Sequence, residues 1–142
     1  MKKRIFQTIL IILLLVSASS FYDNFRYDQV YVNESFLKAE IASTDKQKVK
    51  GLSGRESLAE DEALILEFDE EDYHSIWMKD MNFSIDVIWL NSDKEIVDFK
   101  GNLSPDSYPQ TFTPQRRAKY VLEVNSGFIE SEKLNIGDVL EF

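Results

Sequence analysis

Cysteine is absent from the 142 residues, histidine occurs once, and proline and glycine number only three and five. Without thiols there is no disulfide framework, zinc ribbon, iron–sulfur cluster, thiol nucleophile or lipid-modified cysteine anchor. A lone His74 removes most multi-histidine metal sites as well. Basic residues are outnumbered, 16 Lys and Arg against 25 Asp and Glu, a net charge of −9. That balance repels a phosphate backbone, and no local basic patch offsets it, so no nucleic-acid partner is expected. Also missing are a Gly-rich phosphate loop, a Gly-x-Ser-x-Gly elbow and a His-Glu-x-x-His helix. The acidic run Asp69-Glu70-Glu71-Asp72 lacks the alternating ligands and central Gly of a calcium loop and reads as a solvated turn. What is present is enough apolar material, 44% hydrophobic and 13% aromatic, for one modest packed domain.

The one long apolar run lies at the N-terminus. Lys2, Lys3 and Arg4 precede an unbroken stretch from Ile9 to Val16, which gives way to Ser17-Ala18-Ser19-Ser20. A basic start, an apolar middle and small residues at the end form the layout of an export signal. Cleavage after Ala18 or Ser20 would release a soluble domain. Left uncut, residues 5–22 approach the roughly 17–25 residues a spanning helix needs, with the basic end held in the cytoplasm. Both readings place the remainder outside the cytoplasm, in the periplasm or at the cell surface, with membrane contact only through this segment. Removal of residues 1–20 leaves 13 basic and 25 acidic groups, a net of −12.

The exported part divides into a spacer over residues 21–35, with a short strand at Val30 to Val32, and a β domain over 36–142. Leu37, Ala39 and Ile41 alternate with Lys38, Glu40 and Ala42, the period of a half-buried strand. Thr44 is placed to cap a short helix over residues 45–50 and Gly51 to end it. Apolar runs at 63–68, 74–78, 85–90, 95–99, 120–124 and 139–142 follow, with a turn at Asn91-Ser92-Asp93-Lys94. The spacing predicts a small antiparallel β-barrel or sandwich of six to seven short strands with one or two short helices. The stretch 102–116, bearing Pro105, Pro109 and Pro114, is too long for an idle connection and is a candidate cover for a site.

Three acids sit inside apolar strands: Glu67, Asp86 and Glu123. A buried carboxylate needs a partner, because left unpaired it costs several kcal/mol or takes up a proton. Either these acids form a constellation with a ligand or catalytic role, or they mark wet strand faces and structural ion pairs. The nearest cations in the chain are Arg55, in a loop given freedom by Gly51 and Gly54, and Lys79, directly after Trp77-Met78. Trp77 and Trp89 either line an apolar or sugar-stacking pocket or belong to the core.

Taken in order, Gly51-Leu52-Ser53-Gly54-Arg55, Ala63 to Phe68, Ile76-Trp77-Met78-Lys79, Ile85 to Ile88, Tyr120 to Val124 with Gly127, and Gly137-Asp138 resemble the prokaryotic family called domain of unknown function 192, over about residues 36–142. Arg55, Trp77, Met78, Lys79, Asp86, Leu122, Glu123, Gly137 and Asp138 match the family pattern. Ser53 and Gly54 replace its usual Met and aromatic, Met81 its Thr, and Ser84 its Pro. The resemblance implies a mostly β domain, often exported, and brings no established activity, cofactor or catalytic residue.

The leading expectation is a non-enzymatic, extracytoplasmic binding or accessory domain, monomeric, without cofactor or metal, taking a small ligand or an envelope protein. Arg55, Trp77, Lys79, Asp86 and Glu123 are its candidate ligand-binding residues, the four charged ones forming one polar cluster. One rival is a cell-envelope glycan hydrolase using Asp86 and Glu123 as a carboxylate pair, which requires them about 5–5.5 Å or 6.5–9.5 Å apart. The other is a structural charge cluster, with protein-partner binding on the 102–116 loop.

Overall fold

The computed structural model describes residues 25–142. The expected signal or anchor over residues 1–20 lies outside the described residues, and no helix among the described ones is long and apolar enough to cross a membrane. Eight strands form: β1 (Arg26–Val32), β2 (Ser35–Ala42), β3 (Glu62–Asp72), β4 (Ile76–Trp77), β5 (Ile85–Leu90), β6 (Ile96–Leu103), β7 (Thr111–Phe112) and β8 (Ala118–Asn125). Two short helices, α1 (Asp45–Lys50) and α2 (Phe128–Ser131), complete the regular structure apart from a 3-10 turn at Pro105–Ser107.

Six strands make one sheet in the order β1-β2-β3-β8-β5-β6, and β4 pairs with β7 in a separate ribbon. The expected barrel is not formed, since the sheet stays open with β1 and β6 as its edges. Nor is the sheet wholly antiparallel, because β2 and β3 run parallel, with Lys38 opposite Glu62 and Ala42 opposite Leu66. A parallel pair cannot be closed by a tight turn, so the chain must cross over a face of the sheet. Residues 43–61 make that crossover and carry α1 and the Gly51–Arg55 loop with them. The sheet begins at Arg26 rather than Phe36, so much of the expected spacer is β1, paired along its whole length with β2.

Alternation distributes the apolar side chains between two layers. Ala63, Ile65, Ile88, Leu90, Leu122 and Val124 pack on the first face beneath Leu134, Leu140 and the half-buried Phe128 and Ile129. Leu64, Leu66, Ile85, Val87, Trp89 and Val121 pack on the second face beneath Leu52, Leu58, Ile76, Met78 and Phe112. Every residue of β5 is buried, as expected of a strand covered on both sides. The expected terminal strand at 139–142 is reduced to isolated bridges, Glu95 with Val139 and Tyr31 with Glu141.

Candidate functional site

Thr44 and Gln47 build a reciprocal capping box that starts α1, and Gly51, at φ 51°, ends it. The positive φ is what calls for glycine here; a Cβ would stand 3.7 Å from Glu123 Oε2, an ordinary van der Waals contact, which places the end of α1 beside that carboxyl. From Gly51 the loop is tied to the segment after β4: Ser53 Oγ donates to the Lys79 carbonyl at 2.7 Å, the Gly54 amide to the Asp80 carbonyl at 2.8 Å, and Asn82 Nδ2 to the Arg55 carbonyl at 2.8 Å.

Between this crossover, β3, the β4–β7 ribbon and β8 lies a cleft of about 310 Å³, within the range of small-molecule sites. Leu52, Leu66, Phe68, Ile76, Trp77 and Ile85 supply apolar wall, Thr111 closes one side, and Lys48 and Lys50 of α1 also line it. Lys48 Nζ lies 3.3 Å from Asp45 and 4.9 Å from the Phe68 ring centroid. His74, stacked on Phe68 with ring centroids 3.5 Å apart, lies behind this wall and accepts no metal partner set: among the described residues no three His, Asp or Glu side chains converge.

Glu123 is the acidic group in the cleft lining. It lies on β8 with Leu64 of β3 and Val87 of β5 as its cross-strand neighbours, both fully buried. The residue is 5% exposed and, among the described residues, its side chain forms neither hydrogen bond nor ion pair. Burial pushes its carboxyl from the ordinary 4.5 up to about 7, a rise that the positive charge of Arg55 only partly opposes.

Arg55 itself is engaged elsewhere. Its guanidinium makes a bidentate pair with Glu40 of β2, Nη1 to Oε1 at 2.8 Å and Nη2 to Oε2 at 2.6 Å, and that hydrogen-bonded pairing raises the arginine's pKa. Glu40 went unnoticed in the sequence because it sits on the polar beat of an alternating strand. Its only signal was that a loop arginine with fork geometry needs a carboxylate. Trp77 lines the cleft while remaining 44% exposed, edge-on to Tyr108 at 6.3 Å, and Lys79 is exposed with Nζ 5.8 Å from the Trp77 ring. The other tryptophan, Trp89, is core, its Nε1 donating to the His74 carbonyl at 2.8 Å.

Asp86 is on the other side of the sheet. It shares parity with Ile88 and Leu90 and so faces the first layer, whereas Glu123 shares parity with Val121 and faces the second. Its carboxylate is spent on backbone: Oδ1 accepts from the Asn102 amide at 2.8 Å and Oδ2 from the Ile129 amide at 2.9 Å. The four charged candidates therefore do not form one cluster, and Asp86 and Glu123 do not face a common space as a carboxylate pair would. Glu67 is a peripheral ion pair with Arg26 at 2.7 Å. The 102–116 stretch is not a bare loop, for it holds the end of β6, the 3-10 turn and β7, and it contributes Thr111 to the cleft. The cleft residues not foreseen as such, Lys48, Phe68 and Thr111 among them, come from elements that only the crossover and the ribbon bring together.

Residues 29–142 match the profile of a family described as Uncharacterized ACR, domain of unknown function 192. A UPF0127 protein of Pyrococcus furiosus is 41% identical over 69 residues, 49% of this chain and 53% of that protein. Another, of Thermococcus kodakarensis, is 29% identical over 105 residues, 74% of this chain and 64% of that protein. The chain spans about half to two thirds of the length of these curated relatives. Among solved structures, a Sinorhizobium meliloti 1021 protein provisionally described as a transcription regulator superposes with a TM-score of 0.77 at 26% identity, covering 82% of this chain and 94% of that one. A Novosphingobium aromaticivorans protein of unknown function gives 0.78 at 22% identity, covering 86% and 89%, and shows the shared fold.

Proposed function

The chain belongs to the domain of unknown function 192 family, and we propose, from the cleft rather than from that family, that it is an exported binding domain holding a small, mostly apolar ligand between α1, β3, β8 and the β4–β7 ribbon. The observation that carries this reading is Glu123, a carboxyl without a hydrogen-bond partner at a cleft walled by apolar side chains. Among the described residues no side-chain oxygen is sealed from solvent without a hydrogen-bond partner, so this almost wholly buried carboxyl opens on the cleft, where a ligand can hydrogen-bond to it. Trp77 forms a second contact surface. Arg55, locked to Glu40, holds the crossover loop in place and moderates the charge of Glu123 from a distance.

The cleft is tested by filling it. Thr111, exposed on the short β7, lines the cleft, and Thr111→Trp places an indole there without breaking a side-chain bond of the ribbon. In a thermal-shift screen of small molecules, a ligand at about a hundred times its Kd adds about 2.7 kcal/mol, a shift of several degrees in the parent. The same compounds are expected to leave Thr111→Trp unmoved. Hits that shift both proteins equally would refute the cleft as the site. Export is tested separately: residues 1–25 fused to a reporter enzyme active only outside the cytoplasm should give activity, and Leu13→Arg, which interrupts the apolar run, should abolish it. A cytoplasmic reporter with the intact segment would end the export reading.

A further inference from the structure

We propose that the cleft is selective for an apolar ligand carrying one basic amine, with the ammonium group seated on Glu123 and the hydrocarbon or aromatic body against Phe68 and Trp77. This deepens the binding reading above and rests on it. Three observations point to a cation rather than an anion or a neutral molecule.

The first is the unspent carboxylate. Of the charged groups around the cleft, Lys48 and Lys50 lie on α1 and Arg55 on the following loop with its partner Glu40, while Glu123 is the one lodged between buried Leu64 and Val87. Arg55, whose charge acts on it, already spends both terminal guanidinium nitrogens on Glu40 and donates no hydrogen bond to Glu123. An ammonium group supplies the donors and the opposite charge that the carboxylate lacks, which makes the charge-assisted, stronger form of hydrogen bond.

The second is the wall. Phe68 and Trp77 lie along the cleft and offer apolar surface to a ligand's body, while the chain's own ammonium groups already stand by these rings, Lys48 4.9 Å from the Phe68 centroid and Lys79 5.8 Å from that of Trp77, so a bound ammonium is left to Glu123. The third is the field of the whole domain. Beyond residue 20 the chain carries 13 basic and 25 acidic groups, a potential that raises the local concentration of cations and lowers that of anions. The space, about 310 Å³ against about 30 Å³ for a water molecule in the liquid, admits a body of about ten non-hydrogen atoms.

Three probes of one shape separate the classes: phenethylamine, 2-phenylethanol and 3-phenylpropionate, titrated into the full chain by calorimetry at fixed ionic strength. The amine is expected to bind at least tenfold more tightly than the alcohol, and the acid weakest of all. Amine affinity should rise with pH as the carboxyl loses its proton and level off above about 7. Glu123→Gln, which keeps shape and removes charge, should abolish the preference for amine over alcohol and flatten that pH profile. If alcohol or acid binds the parent as well as the amine, or if Glu123→Gln keeps the preference, the proposal is wrong. Thr111→Trp separates the two levels of failure. Binding without amine preference that Thr111→Trp abolishes leaves the cleft standing and removes the amine, whereas amine binding untouched by Thr111→Trp removes both.

Discussion

Replacement of Asp86 by Ala should cost about 3–5 kcal/mol of folding stability, the scale of breaking a buried, charge-assisted network, with a fall in melting temperature of more than about 10 °C. The size follows from what the carboxylate holds. Opposite Asp86 the pairing of β5 with β6 shifts, Ile85 facing Leu103 but Val87 facing Lys100, so Gly101 and Asn102 together oppose one residue. Asn102 takes a left-handed backbone, φ 57°, and its amide turns to Asp86 Oδ1. The other oxygen accepts from Ile129, in the first turn of α2, where a helix has donors with no partner of their own and favours negative charge. Alanine would take the acceptor from both amides, that of half-buried Ile129 and that of the bulge at Asn102, and leave a gap where the buried carboxylate stood. Asn at this position keeps one acceptor and turns its amide group toward the second donor, so Asp86→Asn should lose clearly less than Asp86→Ala in chemical denaturation. Because Asp86 faces away from the cleft, ligand affinity measured well below the melting temperature should be the same in Asp86→Asn as in the parent. A large affinity loss there would show that the two faces are coupled.

The Asp86 case also shows what could be read from residue order. A carboxylate inside Ile85-Asp86-Val87-Ile88 demands partners, and that much follows from the cost of burying charge. Its partners turned out to be backbone amides at a bulge and a helix start, and neither leaves a side-chain signal to match with the acid. Local elements were more legible. Thr44, Gln47 and Gly51 announce α1 because capping is settled within a few residues, and β5, apolar on both beats apart from Asp86, announces a strand covered on both faces. Neighbour relations were not. Alternation assigns Glu40 and Glu123 to a face of their strands but says nothing about which strand lies beside which, so neither the parallel β2–β3 pair nor the open edge could be deduced. Of β1 only Val30 to Val32 was legible, because exposed Tyr27 and Tyr31 put aromatic residues on the wet beat and blur the contrast with the buried valines. The cleft depends on the crossover and on a ribbon of two two-residue strands, elements too short for any periodicity to declare.

Glu123→Gln should be more stable than the parent at pH 8 by about 3 kcal/mol and nearly equal to it at pH 4. The free energy corresponds to the gap between the ordinary value of 4.5 and about 7 in the folded protein, each pH unit being worth about 1.4 kcal/mol. The sign follows from proton counting. Between pH 4.5 and 7 the folded protein keeps a proton on Glu123 that the unfolded chain has released, so stability falls as pH rises through this window and is flat in this group above it. The other carboxylates titrate in both proteins and cancel when the two urea-unfolding profiles are subtracted, so the difference curve isolates Glu123. Parallel profiles from pH 4 to 8 would mean that the carboxyl is not desolvated in the folded chain and would remove the physical basis for a ligand there. A growing gap has a further consequence. If an amine ligand supplies what the carboxylate lacks, ligand at one fixed concentration should narrow the gap at pH 8 by stabilising the parent more than Glu123→Gln, while at pH 4, where the carboxyl is neutral in both states, it should stabilise the two proteins alike.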